Sequence, residues 1–122
     1  MKNKMETLAR DIYSWCIEND LWGDSCIYFN GKAWASWDSW HEEDGKQISE
    51  RLYEYQERDP REYFEYANPD TLSMSFEGPL YHVLNGYVKG WTKLENEFFD
   101  IFKKHGMYYE MGHAWNLAAF EI

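Results

Sequence analysis

The fold is decided by the stretch Cys26-Ile27-Tyr28-Phe29-Asn30-Gly31-Lys32-Ala33-Trp34-Ala35-Ser36-Trp37. It predicts a β-hairpin, because two runs rich in β-prone residues flank a two-residue Asn-Gly turn. Both central positions of a type I′ turn require positive φ, which Asn30 and Gly31 tolerate. The stretch therefore places an antiparallel pair of strands in the first third of the chain.

Sequence periodicity predicts further helices and strands on both sides of this hairpin. Apolar residues recur at three- and four-residue intervals in the helices, and they alternate with polar residues in the strands. Residues 48–57 fit either element, and the aromatic residues after position 51 favour a strand. The expected elements are a helix at 3–19, a strand at 72–76, a helix at 92–105, short helices that begin near 59–60 and 78–79, and a closing hairpin at 107–111 and 114–121.

The predicted helix 92–105 carries recognisable end signals. Thr92, followed three residues later by Glu95, is expected to cap the first turn as a capping box. His105 lies in the last turn, where the helix dipole favours a cation, and Gly106 is expected to end the helix.

Together these elements predict one α+β domain over residues 1–122, with a mainly antiparallel sheet of four to six short strands covered by two to three helices. A length of 122 residues suits a single hydrophobic core. No apolar run approaches the length of a membrane span, and we expect a cytoplasmic protein without a membrane partner. Cys16 and Cys26 are interpreted as buried, reduced thiols, with a disulfide between them as the alternative.

Acidic residues dominate the charge of the chain. There are 22 acids against 12 bases, which gives a net charge of −10. Residues 18–65 contain thirteen acids and five bases and so hold eight of the ten excess negative charges. Direct binding to nucleic acid is disfavoured, because phosphate affinity requires Lys and Arg. The surplus either keeps the protein soluble or forms an acidic surface for a partner protein with a basic one.

Aromatic residues make up 20% of the chain, which is unusually high. Trp34, Trp37 and Trp40 cannot all point inward from a strand, where side chains alternate. Large rings fill a small core, and exposed ones mark an interface, either with another protein or between copies in a homo-oligomer. The predicted partner-binding residues are Trp37, Trp40, Glu42, Glu43, Asp44, Tyr53 and Tyr55.

An alternative hypothesis is a small enzyme or ligand-binding domain. Its cleft would lie near residues that flank the ends of predicted strands and could move protons. These residues are Asp70, Glu77, His82 and His113. The sequence contains no nucleophile, phosphate-loop or dinucleotide motif and no metal-ligand spacing. We therefore favour a protein that is not an enzyme, and we assign no catalytic residue, no cofactor and no metal.

Two segments carry a resemblance to known sequences. Residues 66–80, Tyr-Ala-Asn-Pro-Asp-Thr-Leu-Ser-Met-Ser-Phe-Glu-Gly-Pro-Leu, and residues 112–117, Gly-His-Ala-Trp-Asn-Leu, resemble small uncharacterised proteins of Firmicutes phages and conjugative elements. The resemblance brings no assigned activity and no catalytic residues. It implies an accessory role on a mobile element, such as countering host defence, where acidic mimics of DNA are a recurring type.

Overall fold

The computed structural model describes residues 2–36, 52–58, 60–62 and 71–122. These residues form a mixed helix and strand architecture, which confirms the predicted α+β class. In chain order the elements are α1 (Lys2–Glu18), β1 (Ser25–Phe29), β2 (Lys32–Ala35), β3 (Tyr53–Gln56), a single 3-10 turn (Pro60–Glu62), β4 (Ser73–Phe76), α2 (Pro79–Leu84), α3 (Trp91–Lys104), β5 (Met107–Met111) and β6 (Asn116–Glu121).

The six strands form one antiparallel sheet in the order β3-β2-β1-β4-β6-β5. Its β1–β2 hairpin turns at Asn30, with φ 51°, and Gly31, with φ 76°, as the type I′ prediction requires. The ambiguous segment 48–57 contributes a strand, β3, which pairs with β2. The closing hairpin is also confirmed, with β5 paired to β6.

The two faces of the sheet carry separate apolar clusters. One face packs under the helices and contributes most of the buried core: Ile27, Phe29, Trp34, Met74, Phe76, Leu117 and Ala119. The opposite face carries a smaller cluster of Cys26, Tyr28, Ala33, Ala35 and Tyr55. Alternation of side chains along each strand produces this division.

The expectation that Tyr55 is exposed is wrong, because only 5% of its surface is accessible. Tyr55 lies opposite Ala33 in the β2–β3 pair, and Ala35 is the next residue on the same face. These small side chains leave room for the tyrosine ring to lie over the sheet. Tyr53, on the same face, is half-buried.

Helix α3 packs one of its sides against α1. The Trp15 indole donates a hydrogen bond to Glu97 Oε1 at 3.0 Å. Lys104 Nζ lies 3.1 Å from Asp11 Oδ2. Positions 97 and 104 therefore face α1, while the buried Phe98 points toward the sheet.

The predicted cap of α3 is wrong. The helix begins at Trp91, and its N-cap is Gly90, whose φ of 80° is left-handed and which makes no side-chain cap bond. Thr92 and Glu95 therefore lie inside the first turns, where the capping-box geometry does not arise. The C-terminal prediction is confirmed, since Gly106 follows the helix with φ 71°.

Both cysteines are free and buried, as predicted. Burial raises the pKa of the Cys26 thiol to about 12 and also raises the pKa of Cys16. The thiols are therefore protonated near neutral pH and are poor nucleophiles. None of the described helices combines the length and apolar character needed to cross a membrane.

Candidate functional site

Three ring-bearing side chains, Tyr81, His82 and Tyr87, meet where α2 passes into α3, and the Trp91 ring lies beside Gly86 in the same connection. We call these four residues the aromatic corner. The rings of Tyr81 and Tyr87 stack at 6.3 Å with an interplanar angle of 14°. His82 stands edge-on to both rings, at 5.5 and 6.2 Å. Tyr87 is nevertheless 70% exposed, and Trp91 is 36% exposed. The Tyr87 ring therefore contacts two other rings while most of its surface faces solvent.

Hydrogen bonds help to fix the connection between α2 and α3. The Asn85 amide donates to Tyr81 O at 2.8 Å and to Ala114 O at 2.9 Å, which ties the end of α2 to the β5–β6 turn. Gly86 has φ 77°, and a Cβ there would lie 3.5 Å from the Trp91 ring. Gly86 thus adopts the left-handed backbone conformation with which the Trp91 ring can lie close to the main chain.

A pocket of about 510 Å³ lies beside the β5–β6 turn. The described residues that line it are Glu110, Met111, Gly112, His113, Ala118 and Phe120. The buried Asn116 holds one wall, because its Oδ1 accepts the His113 N–H at 2.9 Å and its Nδ2 lies 3.0 Å from His113 Nδ1. The His113 ring also stacks on Trp115 at 5.6 Å. With Nδ1 accepting the amide hydrogen bond, the neutral ring carries its hydrogen on Nε2.

A network of charges closes α1 over the β2–β3 pair. Lys32 Nζ lies 3.3 Å from Glu54 and 3.6 Å from Glu6, which also pairs with Arg10 at 3.3 Å. The hydrogen bond from the Trp34 indole, 2.7 Å long, lowers the pKa of Glu54, and Lys32 adds to this effect against the opposing influence of burial. A groove of about 490 Å³ adjoins the network. Each cation of the network already pairs with a carboxylate, so we interpret the network as one that holds α1 against the β2–β3 pair.

A second cluster joins α1 to the end of α3. His105 Nε2 lies 2.7 Å from Asp11 Oδ2, and Lys104 shares the same oxygen. Burial by itself raises the pKa of Asp11, but hydrogen bonds and charges from His105 and Lys104 outweigh it and lower that pKa below its ordinary value. His105 is therefore more than the helix-dipole cation predicted from sequence, because it also pairs with α1.

We expect Asp11→Asn to lower the free energy of unfolding by roughly 0.5–1 kcal/mol near neutral pH, the value of a partly exposed ion pair. Because the folded-state pKa of Asp11 is lowered, its contribution is present above the unfolded-state pKa of about 3.9 and is lost as pH falls through the folded-state pKa. Urea denaturation at neutral and strongly acidic pH measures this.

The matched control for that prediction is Asp100→Asn, at an exposed position of α3. It should leave stability unchanged at both pH values. A stability deficit of Asp11→Asn that stays constant down to acidic pH would contradict an electrostatic role for Asp11.

The predicted site residues lie in different parts of the molecule. Trp37, Trp40, Glu42, Glu43, Asp44 and Asp70 are outside the described residues. Glu77 is exposed after β4, and its N–H donates to Asp24 O at 3.1 Å. His82 belongs to the aromatic corner, and His113 lines the β5–β6 pocket. Among the described lining residues, that pocket includes neither Glu77 nor His82, and the alternative ligand site stays a prediction.

Of the aromatic corner, His82 is among the site residues predicted from the sequence, and the three other rings are not. Gly86 and Gly90 lie in the connection between α2 and α3, and an aromatic residue follows each of them. Two glycines, each followed by a large ring, are the sequence pattern that could have pointed to this site. Within the residues the structure describes, no group of three or more His, Cys, Asp or Glu side chains is placed to hold a metal ion.

No family model matches the chain, and neither a curated protein nor a solved structure is significantly similar to it. The resemblance to proteins of phages and conjugative elements therefore stays a prediction. Any functional conclusion rests on the site itself.

Proposed function

We propose that this protein is a non-enzymatic interaction module that binds a partner protein through basic side chains of that partner. The observation that carries the proposal is the aromatic corner, where the Tyr87 ring is 70% exposed yet held in a near-parallel stack with Tyr81. Exposed and pre-ordered aromatic rings are typical of interface anchors, because they bury a large area at a low cost in entropy.

The chemistry of the corner suits a cationic partner. Arginine and lysine side chains bind over the faces of tyrosine and tryptophan rings, and a planar guanidinium also stacks on them. A neutral apolar partner would gain the same burial but no electrostatic attraction. The net charge of −10 favours a basic partner over a neutral one.

One carboxylate, that of Glu77, comes just before α2 and four residues before Tyr81 in the chain. Glu77 is exposed and forms no ion pair with a described residue. The turn that contains Asp24 lies against Glu77 through the hydrogen bond to its N–H. An exposed carboxylate near the corner in the chain, together with the negative net charge, favours fast association with a cation and a strong dependence on salt.

The titratable groups of the described residues support a role without catalysis. The carboxylates with lowered pKa, Asp11 and Glu54, are held in ion pairs that join secondary-structure elements. The buried thiols have raised pKa values. The resemblance to proteins of mobile elements favours the same class of role, an acidic protein that occupies the basic surface of a nucleic-acid-binding host protein.

The test is the binding of a fluorescent oligo-arginine peptide to the full chain, followed by anisotropy at low and high salt. We expect Tyr87→Ala to weaken binding about fivefold, because one cation–π contact is lost while the net charge is unchanged. Tyr87→Phe keeps the ring and should bind like the wild type. Asn96→Ala, on the exposed side of α3, is the control for a surface change elsewhere.

Two results would overturn the proposal. Equal affinities for the wild type and Tyr87→Ala would mean that the corner is not the binding surface. Equal affinities for oligo-arginine and for an uncharged peptide of the same length would mean that cations are not recognised.

A further inference from the structure

Among the described residues, β5 is the outermost strand of the sheet, and some of its backbone groups point away from its neighbour β6. The Ile122 N–H donates to Gly106 O at 3.0 Å, and the Gly112 N–H donates to Asn116 O at 3.1 Å. In an antiparallel ladder, residues that exchange such bonds alternate with residues whose backbone groups point the other way. The residues of β5 that point outward are therefore Met107, Tyr109 and Met111.

One row of side chains on α3 runs beside this edge. Glu95, Phe99 and Lys103 are four residues apart and so follow one side of the helix. Phe99 is 39% exposed, and its ring centroid lies 5.9 Å from that of Tyr109. Burial and the charge of Glu95 together raise the pKa of Tyr109 to about 12, which places Glu95 on the same side of α3. Glu97, by contrast, faces α1.

We propose that two copies of this chain pair through this surface, with β5 of one copy antiparallel to β5 of the other around a two-fold axis. When Tyr109 lies opposite Tyr109 of the second copy, Met107 lies opposite Met111 of the second copy. All outward-pointing residues then meet as hydrogen-bonded pairs. A shift of register by one residue would place the outward-pointing backbone groups of one copy opposite residues whose own backbone groups already hydrogen-bond to β6.

The charges on α3 favour a second copy of this chain as the occupant. The two-fold axis reverses α3, and Glu95 and Lys103 are equally distant from Phe99 in the sequence. Glu95 of one copy therefore comes opposite Lys103 of the other, twice in the dimer, and Phe99 comes opposite Phe99. The rows of the two copies are therefore complementary in charge. Their contact also buries the Phe99 rings, which are partly exposed in a single copy.

The pairing also uses the exposed apolar surface of the edge itself. Met111 is 38% exposed, and it lies on the same sheet face as Tyr109, next to Phe99. The backbone groups of an edge strand offer hydrogen-bond partners to a strand of another chain. Phe99 and the outward-pointing residues of β5 are not residues of the aromatic corner, and the dimer does not rest on the proposed binding of a basic partner.

The test is sedimentation equilibrium of the full chain over a range of concentrations. We expect a monomer–dimer equilibrium whose dissociation constant rises about tenfold in Glu95→Lys and in Lys103→Glu, because each change turns two attractive pairs into repulsive ones. The double variant, Glu95→Lys with Lys103→Glu, restores both pairs and should dimerise like the wild type.

Two control variants make the same changes in net charge away from the row. Asp100→Lys matches Glu95→Lys, and Lys93→Glu matches Lys103→Glu, and both positions are exposed on α3. Each control should leave the dissociation constant within about twofold of the wild type. A wild type that is monomeric throughout, single variants that behave like their controls, or a double variant that is not restored would each overturn the proposal.

Amide hydrogen exchange tests the strand register separately. On raising the protein concentration through the dissociation constant, the amides of Met107, Tyr109 and Met111 should become more protected, because they gain partners in the dimer. Unchanged exchange at these three amides in a sample that dimerises would overturn the β5–β5 pairing.

Discussion

Replacing Phe98 with alanine is expected to lower the free energy of unfolding by about 4 kcal/mol, the largest effect of any single change considered. The ring is completely buried and lies where three elements meet. Its centroid is 5.4 Å from Trp15 of α1, 5.1 Å from Phe102 of α3 and 5.2 Å from Tyr109 of β5. Alanine would leave a cavity that none of these rings can fill without moving the others.

Urea denaturation measures this loss, and the next residue supplies the control. Phe99→Ala removes the same side chain from a position that is 39% exposed, so it should cost less than about 1 kcal/mol in dilute solution, where the copies are separate. Similar losses for the two variants would contradict the packing of α3 described above.

Gly78→Ala is expected to destabilise the protein by about 3 kcal/mol. A Cβ at this position would overlap the backbone carbonyl oxygen of Gly23 and would lie 3.0 Å from Asp24 Cβ. The overlap is with backbone, and the neighbouring Glu77 N–H is hydrogen-bonded to Asp24 O, so the two segments cannot separate without losing that bond. The junction between β4 and α2 therefore requires glycine.

Gly31→Ala is the matched control for this second prediction. Gly31 has φ 76°, but no atom lies within 4 Å of an added Cβ. Gly31→Ala should therefore lower the free energy of unfolding by only about 1 kcal/mol, the cost of an alanine in the left-handed conformation. A thermal or urea denaturation series in which Gly31→Ala is the more damaging of the two would contradict the close approach at Gly78.

The local elements of the fold could be predicted from the sequence because their signals are local. The Asn30-Gly31 turn fixes the β1–β2 hairpin through the φ values it demands, and the apolar spacing of α1 is present in the chain itself. For β3, the sequence pattern favours a strand over a helix without excluding the helix. The pairing of this segment with β2 decides that it is a strand. Pairing of distant segments is not visible in a single short window.

The remaining features depend on contacts between distant residues. The start of α3 at Trp91 rather than Thr92 follows from a left-handed Gly90, and a glycine cap leaves a weaker sequence signal than a capping box. Tyr55 is buried because Ala33 across the strand pair leaves room for its ring. Next to the aromatic corner, Asn85 ties α2 to the distant β5–β6 turn.

The most direct test of the proposed function is a titration of the isotope-labelled full chain with the oligo-arginine peptide, followed by amide chemical shifts. We predict that the largest shift changes fall within residues 81–91, which contain the aromatic corner. Shift changes at Glu54 of β3 and at the acids of the turn after α1, with none in residues 81–91, would contradict binding at the corner and indicate only diffuse attraction between charges.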